Sequence, residues 1–483
     1  MLFSSTIFLF AFLVATLFLY YVVFHKTKPR NILLFVVSLI FYAWGEPVFV
    51  LVMIASIVAN WIFGLLVEKY RGRPKTEKAV LILMAVFNLS LLFVFKYLTF
   101  VLSSVNAFFH AQITVPVIRL PIGISFFTFQ SISYVVDVWR KKAGVQRSLI
   151  HVGLYISLFP QLIAGPIVRY ETIADEIDNR HETVTDFSEG CCRFIIGLAK
   201  KVLISNTMAQ IADTAFNSPS DELSVAFAWL GAIAYTFQIY FDFSGYSDMA
   251  IGLGKMFGFH FEENFRYPYI ARSITDFWRR WHISLSTWFR DYVYIPLGGN
   301  RGTAARKVFN LFVVWLLTGI WHGASWNFIV WGLYYFVLLL IERSFFKNYI
   351  RKDANPRLFP RILGHIYTLV AVIVGWVFFR AETLPAAFSY LGTMFGNSTI
   401  RFDVNFFRYF DENWIFFVAA LLFSMPVAKL PDSLINRCSN RSIGAVLSGV
   451  KSVLYPVLLI SAFLLSVAYL VKGSYNPFIY FNF

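Results

Sequence analysis

The sequence predicts an all-α, polytopic integral membrane protein. Hydrophobic residues make up 58% of its 483 residues, and charged residues only 14%, well under the quarter that is typical of soluble domains. Apolar runs long enough to cross about 30 Å of hydrocarbon recur along the whole chain. Because lipid-exposed backbone must satisfy its own hydrogen bonds, the predicted crossings are helices. We therefore predict a single membrane-embedded domain over residues 1–483.

About eleven or twelve segments have the length and composition of a membrane span. They lie near 2–24, 31–44, 48–66, 79–101, 118–138, 190–209, 225–245, 308–321, 325–342, 362–379, 413–430 and 450–471. We expect a core at about 100–345 and C-terminal helices over 362–471. The first run has no basic residue ahead of it and is too long for a signal peptide, so we predict a first span with an extracytoplasmic N-terminus.

The formal net charge of +15 follows the same pattern. Lys and Arg cluster in short loops between apolar runs, as in His25–Arg30, Lys69–Lys75, Trp139–Lys142 and the basic loop at 343–361. The positive-inside rule places such loops in the cytoplasm and accounts for the charge without nucleic acid. We expect membrane lipid around the chain and no nucleic-acid partner.

Two segments fit neither a span nor a simple loop. Residues 151–170 contain Pro160 and Pro166, which interrupt helices, so we expect a re-entrant or interfacial segment. Residues 255–307 hold nine Lys or Arg against four Asp or Glu, together with many aromatic residues. We expect short helices there, packed at the cytoplasmic face.

His322 is the strongest candidate for chemistry. We expect the helix before it to start after Lys307, and fourteen residues, Val308–Trp321, rise about 21 Å, less than the hydrocarbon thickness. This predicts a histidine inside the membrane, at a glycine-flanked turn. Burial disfavours the charged form of an imidazole, and a general base must be uncharged. The alternative is a packed histidine that hydrogen-bonds a carbonyl.

His282 is the second candidate. The run Asp276–Arg290 predicts one amphipathic helix. One stripe of this helix holds Trp278, Trp281, His282, Leu285 and Phe289, and another holds Arg279, Ser286 and Arg290. Either the helix lies in the interface with snorkelling arginines, or His282 faces a cavity while the arginines bind an anionic ligand.

Polar residues near one predicted span are candidates to line a tunnel. Asp242 could orient a histidine or cap the next helix, and capping is the preferred interpretation for Asp248. Gln238, Tyr240 and Asn327 are further tunnel candidates. The sequence lacks nucleotide-binding, nucleophile-elbow and metal-type motifs, and we predict no metal site and no structural disulfide.

Several blocks of sequence resemble the membrane-bound O-acyltransferase family. Phe277–Tyr292 resembles the signature of its bacterial branch, and Tyr294–Arg301 (YIPLGGNR) looks like its alginate O-acetyltransferase subgroup. Trp321–Trp326 (WHGASW) is similar to the histidine segment of the family, and Tyr240–Met249 and Gln161–Arg169 are similar to further blocks. The likeness runs from the first residues to about residue 345.

The resemblance implies a helical fold around a central tunnel in a bacterial inner membrane. It implies His322 as the essential histidine with His282 beside it. It also implies acetyl-CoA as a cytoplasmic acyl donor, an extracytoplasmic polysaccharide such as alginate as acceptor, and a separate extracytoplasmic acetyltransferase as partner. We expect no tightly bound cofactor. The donor would be held by basic and aromatic residues of one segment, namely Arg279, Arg280, Arg290, Trp278 and Trp281.

Other functions remain open on the residues alone. Within the family, the alternative is transfer of D-alanyl or another acyl group to cell-wall polymers. Two alternatives belong to other functional classes. One is a secondary transporter or flippase, in which the membrane histidines couple transport to proton movement. The other is a structural scaffold for a polysaccharide synthase. We found no internal repeat, which argues against a transporter built on inverted repeats.

Overall fold

The computed structural model describes residues 1–219, 221–345, 358–437, 441–473 and 475–479. Every regular element in these ranges is a helix, and helices occupy all of the predicted segments. The predicted all-α membrane fold is therefore confirmed. Most of the predicted basic loop, residues 346–357, and Cys438 lie outside the described residues.

Six of the described helices are long and apolar enough to cross a membrane. They are Phe49–Lys69, Pro74–Phe109, Ala304–His322, Trp326–Phe345, Arg361–Arg380 and Ser442–Lys472. A bent pair, Val404–Phe423 and Pro426–Arg437, would give a seventh span. The other predicted crossings form helices that are shorter or interrupted by polar side chains, as in Val225–Met256, which contains Gln238 and Asp242. Length and composition therefore support fewer spans than hydropathy along the sequence predicted.

The chain forms two compact units. The first comprises Met1–Phe194 and Ser247–Glu262 of the described residues. Its helices are Phe8–Val23, Thr27–Ala43, Phe49–Lys69, Pro74–Phe109, Ile124–Trp139, Leu149–Ser157, Phe159–Leu162, Tyr170–Asn179 and the start of Val184–Ala199. The segment predicted to be re-entrant breaks at Leu158, just before Pro160, and most of its residues are buried.

The second unit comprises Ile195–Tyr246 and Glu263–Ile479. Its helical elements include Lys200–Ser205, Asn206–Asn217, Pro268–Ile270, Ile274–Trp278, Ile283–Phe289, Arg290–Tyr294, Ala304–His322, Trp326–Phe345, Leu358–Arg380, Leu384–Gly392, Val404–Phe423, Leu430–Arg437 and Arg441–Lys472. It also contains Val225–Tyr246 of the long helix. Both candidate histidines belong to this unit, so the site is built from its residues.

Two glycines let the helices on either side of His322 pack closely. A Cβ atom on Gly319 would lie 2.4 Å from the carbonyl oxygen of Phe328, and one on Gly332 would lie 2.5 Å from that of Trp315. No real Cβ atom tolerates such distances. Glycine at both positions therefore fixes the hairpin formed by Ala304–His322 and Trp326–Phe345.

Candidate functional site

His322 is the last residue of its helix, one residue beyond the predicted end at Trp321 and directly before the glycine of the predicted turn, and the helix is longer than predicted. It begins at Ala304, where the Thr303 hydroxyl accepts a hydrogen bond from the backbone N–H of Arg306 at 3.3 Å. The predicted start after Lys307 is wrong, because the cap lies earlier in the chain. Its 19 residues rise about 28 Å, close to the hydrocarbon thickness, so helix length does not fix the depth of the histidine.

Aromatic rings enclose the His322 imidazole. The residue is 7% exposed, and its ring lies 5.0 Å from Trp321, 4.9 Å from Trp331 and 5.1 Å from Phe379. Gly323 follows in an extended conformation, and a Cβ atom there would lie 2.2 Å from the ring of Phe328. The glycine after the histidine therefore allows the tight return of the chain into the next helix.

His282 does not lie on a continuous amphipathic helix, and that prediction is wrong. One helix ends at Trp278 and the next begins at Ile283. His282 lies between them in the left-handed region, with φ 45° and ψ 54°. Few non-glycine residues adopt this conformation, so neighbouring contacts must hold it. The predicted stripe shared by Trp278, His282 and Leu285 therefore does not exist.

Asn264 holds the His282 turn. Its backbone oxygen accepts from the N–H of Ile283 at 3.0 Å, and its side-chain oxygen accepts from the N–H of Ser284 at 3.1 Å. The same side-chain oxygen lies 3.2 Å from Nδ1 of His282. Asn264 is fully buried and His282 is 1% exposed. These contacts stabilise the left-handed residue and the start of the following helix.

The two histidines share an aromatic neighbour. The ring of Trp321 lies 5.0 Å from His322 and 6.0 Å from His282. His282 also contacts Phe243 edge-on, at 4.5 Å between ring centroids. The structure therefore brings together two imidazoles that are distant in the sequence.

Trp278 and Trp281 belong to the aromatic layer around His322. Trp281 lies 4.9 Å from Trp376, and Trp278 lies 5.6 Å from Trp331. Trp331 in turn contacts His322. Both predicted donor-binding tryptophans thus pack against the surroundings of the histidine.

A basic cleft of about 990 Å³ lies in the second unit. Its polar lining includes Arg272, Arg279, Arg280, Arg361, Asp276 and His365, and its apolar lining includes Ile233, Phe237, Leu369, Ile373, Leu421 and Met425. Arg280 pairs with Asp276 at 2.9 Å. The four arginines therefore outnumber the single carboxylate, and the cleft suits an anionic ligand. Tyr269 also lines the cleft, whereas His282 and His322 are not among its described lining residues.

Three other predicted site residues are not among the described lining residues of the cleft. Arg290 is exposed and pairs with the adjacent Asp291 at 2.7 Å. The side-chain amide of Asn327 donates to the carbonyl oxygen of Ala381. Tyr240 packs against Tyr269 at 5.2 Å. Of the three, Tyr240 borders the cleft through its contact with Tyr269, which lines it.

Asp242 forms a buried ion pair. Its carboxylate lies 2.7 Å from Nζ of Lys201, and both side chains are at most 3% exposed. The backbone N–H of Ile479 donates to the second carboxylate oxygen at 2.9 Å. Gln238, one turn earlier, is 4% exposed, and its side-chain oxygen has no hydrogen-bond partner among the described residues.

The capping interpretation of Asp248 is wrong. Its helix runs on to Met256, and Asp248 pairs with Arg193 at 2.8 Å. Among residues that the sequence did not single out, Asn264 and the cleft residue Arg361 matter most. Asn264 lies eighteen residues from His282, and no periodicity in the sequence connects the two.

The fold and the paired histidines define a class of protein. The model of the membrane-bound O-acyltransferase family matches residues 8–381. The chain therefore belongs to this family, and it is a multi-pass membrane acyltransferase.

Individual relatives match most or all of the chain. The chain is 41% identical over 510 aligned residues to a probable alginate O-acetylase of Azotobacter vinelandii, covering 100% of both chains. It is 46% identical to a probable alginate O-acetylase of Pseudomonas aeruginosa, covering 83% of this chain and 76% of the relative. It is 34% identical to the peptidoglycan O-acetyltransferase of Helicobacter pylori, covering 100% of this chain and 98% of the relative.

Proposed function

We propose that this protein is an inner-membrane O-acetyltransferase. It takes an acetyl group from acetyl-CoA at the cytoplasmic face and delivers it to hydroxyl groups of an exported polysaccharide such as alginate, with His322 as general base. The names of the relatives support acetyl as the group and a polymer as the acceptor. Identity to the alginate O-acetylases, 41% and 46%, exceeds the 34% identity to the peptidoglycan enzyme, which favours an alginate-like acceptor.

One observation carries the proposal: a single helix, Leu358–Arg380, connects the basic cleft with His322. Arg361 and Ile373 of this helix line the cleft, and Phe379 lies 5.1 Å from the His322 ring. Between Ile373 and Phe379 an α-helix rises about 9 Å. A donor bound in the cleft would therefore have its reactive end directed along this helix toward the histidine.

The chemistry of the cleft supports a coenzyme A thioester as the ligand. Guanidinium groups bind phosphates through paired, charge-assisted hydrogen bonds, and Arg272, Arg279 and Arg361 supply three in addition to the paired Arg280. The apolar wall suits the pantetheine arm. Arg361 is also the last residue of the predicted basic loop, which the positive-inside rule assigns to the cytoplasm, where acetyl-CoA is made.

His322 performs the proton transfer in this proposal. Its unprotonated nitrogen removes the proton from the acceptor hydroxyl while the hydroxyl oxygen attacks the thioester carbonyl. The new C–O bond forms, the C–S bond breaks, and the imidazolium returns its proton to the leaving thiolate. Coenzyme A is too polar to cross hydrocarbon, so transfer takes place within the membrane. The acceptor hydroxyl belongs to the polymer or to an extracytoplasmic acetyltransferase partner that carries the acetyl group onward.

The first experiment uses membranes that contain the full chain, radiolabelled acetyl-CoA and de-O-acetylated alginate oligosaccharides. We expect His322→Ala to abolish acetyl transfer, whereas His181→Ala, at an exposed loop position, leaves it unchanged. Full activity of the His322→Ala protein would refute the role of the histidine. Movement of a substrate across the membrane without acetyl transfer would favour a transporter instead.

The second experiment tests the cleft. We expect Arg279→Ala and Arg280→Ala each to raise the KM for acetyl-CoA by about tenfold, which corresponds to about 1.4 kcal/mol of lost binding. Arg408→Ala is the control, because this arginine is 64% exposed and pairs only locally with Glu412. An unchanged KM in both cleft variants would show that the donor does not bind in the cleft.

A further inference from the structure

The side-chain contacts of Asn264 fix which nitrogen of His282 carries the proton. The backbone N–H of Ser284 donates to the Asn264 side chain at 3.1 Å, and an N–H group cannot accept, so the amide atom facing it is the oxygen. The Ser284 hydroxyl donates to the same oxygen at 2.9 Å. That oxygen lies 3.2 Å from Nδ1 of His282. Because the oxygen only accepts, Nδ1 must bear the proton.

The other nitrogen of His282, Nε2, is therefore unprotonated and can accept a hydrogen bond. Nε2 is buried and has no hydrogen-bond partner among the described residues. A buried polar atom without a partner has lost its hydrogen bonds to water, which is unfavourable. The cost is offset when the site is occupied by a group that donates a hydrogen bond.

We propose that Asn264 is a positioning residue for the transfer reaction: it holds His282 in the Nδ1–H tautomer and so presents Nε2 to a hydroxyl group of the acceptor. The inference rests on the proposed function and adds a second contact to the acceptor. His282 accepts a hydrogen bond from a second hydroxyl group of the acceptor and so orients the sugar, while His322 takes the proton of the hydroxyl group that reacts.

The surroundings keep His282 uncharged in this role. The turn lies outside the helices that are candidates to span the membrane. Burial lowers the pKa of His282 to about 3. The groups with a described contact to His282, namely Asn264, Ser284, Phe243 and Trp321, carry no charge. The titratable residue His322 contacts the same Trp321 ring. At pH 7 His282 is therefore uncharged, and its Nε2 atom can accept a hydrogen bond.

Asn264→Asp is the decisive variant. It keeps an oxygen that can accept from Ser284 and from Nδ1 of His282, but it adds a negative charge beside the imidazole. An adjacent opposite charge raises a histidine pKa by about 1–3 units, and a protonated Nε2 cannot accept. The pKa of His282 therefore rises from about 3 to about 4–6, and the loss of activity that accompanies protonation of His282 moves to higher pH by the same amount. Asn88→Asp, at another fully buried asparagine, should leave the pH at which activity is lost unchanged.

Asn264→Leu removes the acceptor altogether. We expect kcat to fall by about 10–100-fold, as for other residues that orient a functional histidine, with little change in the KM for acetyl-CoA. Both variants are assayed with membranes, acetyl-CoA and de-O-acetylated alginate oligosaccharides between about pH 4 and about pH 9, a window that includes the raised pKa of His282. If Asn264→Leu fails to accumulate, the pH profile of Asn264→Asp decides the question, because that variant retains the hydrogen bonds of the turn.

The results separate this inference from the proposed function. A wild-type protein that transfers no acetyl group, or a fully active His322→Ala protein, refutes the proposed function. Activity that depends on His322, combined with an Asn264→Asp profile that superimposes on the wild type, refutes the role of Asn264 alone. Wild-type kcat in a folded Asn264→Leu protein does the same.

Discussion

Glu342 anchors the segment that carries the cleft arginines. Near the end of the helix Trp326–Phe345, its carboxylate is 1% exposed. It accepts from the backbone N–H of Ile274 at 2.5 Å, and from the N–H and hydroxyl of Thr275 at 2.9 and 2.7 Å. These donors form the start of the short helix Ile274–Trp278, which leads directly into Arg279 and Arg280. Removing the carboxylate should release the arginines from the cleft.

The three hydrogen bonds to Glu342 determine how much stability its removal should cost. A hydrogen bond to a charged group contributes about 1.5–3 kcal/mol, and partial relaxation makes three of them less than additive. We expect Glu342→Ala to lower the free energy of unfolding by about 3–5 kcal/mol and Glu342→Gln by about 1–3 kcal/mol. Because the change acts on the proposed donor site more than on His322, the KM for acetyl-CoA should rise at least about tenfold while kcat changes less.

Thermal unfolding of the detergent-solubilised full chain, together with acetyl-transfer kinetics in membranes, measures both effects. Glu412→Ala is the matched control, because this carboxylate is 56% exposed and forms one surface ion pair, which should contribute little. A Glu342→Ala protein with wild-type Tm and KM would show that the carboxylate does not position the cleft, and the reasoning from its three hydrogen bonds would fail.

Two further predictions test the packing around the site. Gly332→Ala should destabilise the protein by about 1–3 kcal/mol and reduce kcat, because the new Cβ atom would clash with the carbonyl oxygen of Trp315. Gly449→Ala is the control, because nothing lies within 4 Å of a Cβ atom at that position, and it should have neither effect. Equal Tm values for the Gly332→Ala and Gly449→Ala proteins would contradict this prediction. Asp242→Ala and Lys201→Met should each cost about 3–5 kcal/mol, because each leaves a buried charge unpaired, whereas the double variant should cost less than the two losses together. A stable but inactive Asp242→Ala protein would instead assign this carboxylate to the chemistry.

The sequence predicted most of the helical architecture. Apolar runs located helices in all of the predicted segments, and the glycine-flanked Trp321–Trp326 block predicted the turn at His322. These signals are local, because burial in lipid and steric demand at a tight turn act on adjacent residues. The predictions that failed depended on where a helix begins or stops. Thr303 extends one helix toward its N-terminus, and the chain continues in helical form past Asp248.

The sequence by itself determined the membrane class, the family and the choice of His322 and His282 as the candidate histidines. Only the tertiary structure decided how those histidines are held. The contacts of Asn264 with His282, of Glu342 with Thr275 and of Lys201 with Asp242 join residues from 18 to 67 positions apart. A helical period relates residues three or four apart, so it carries no information about hydrogen bonds between distant segments. The hydrogen bonds of Asn264 interrupt the predicted amphipathic helix at His282, because they stabilise a left-handed residue that local propensity disfavours.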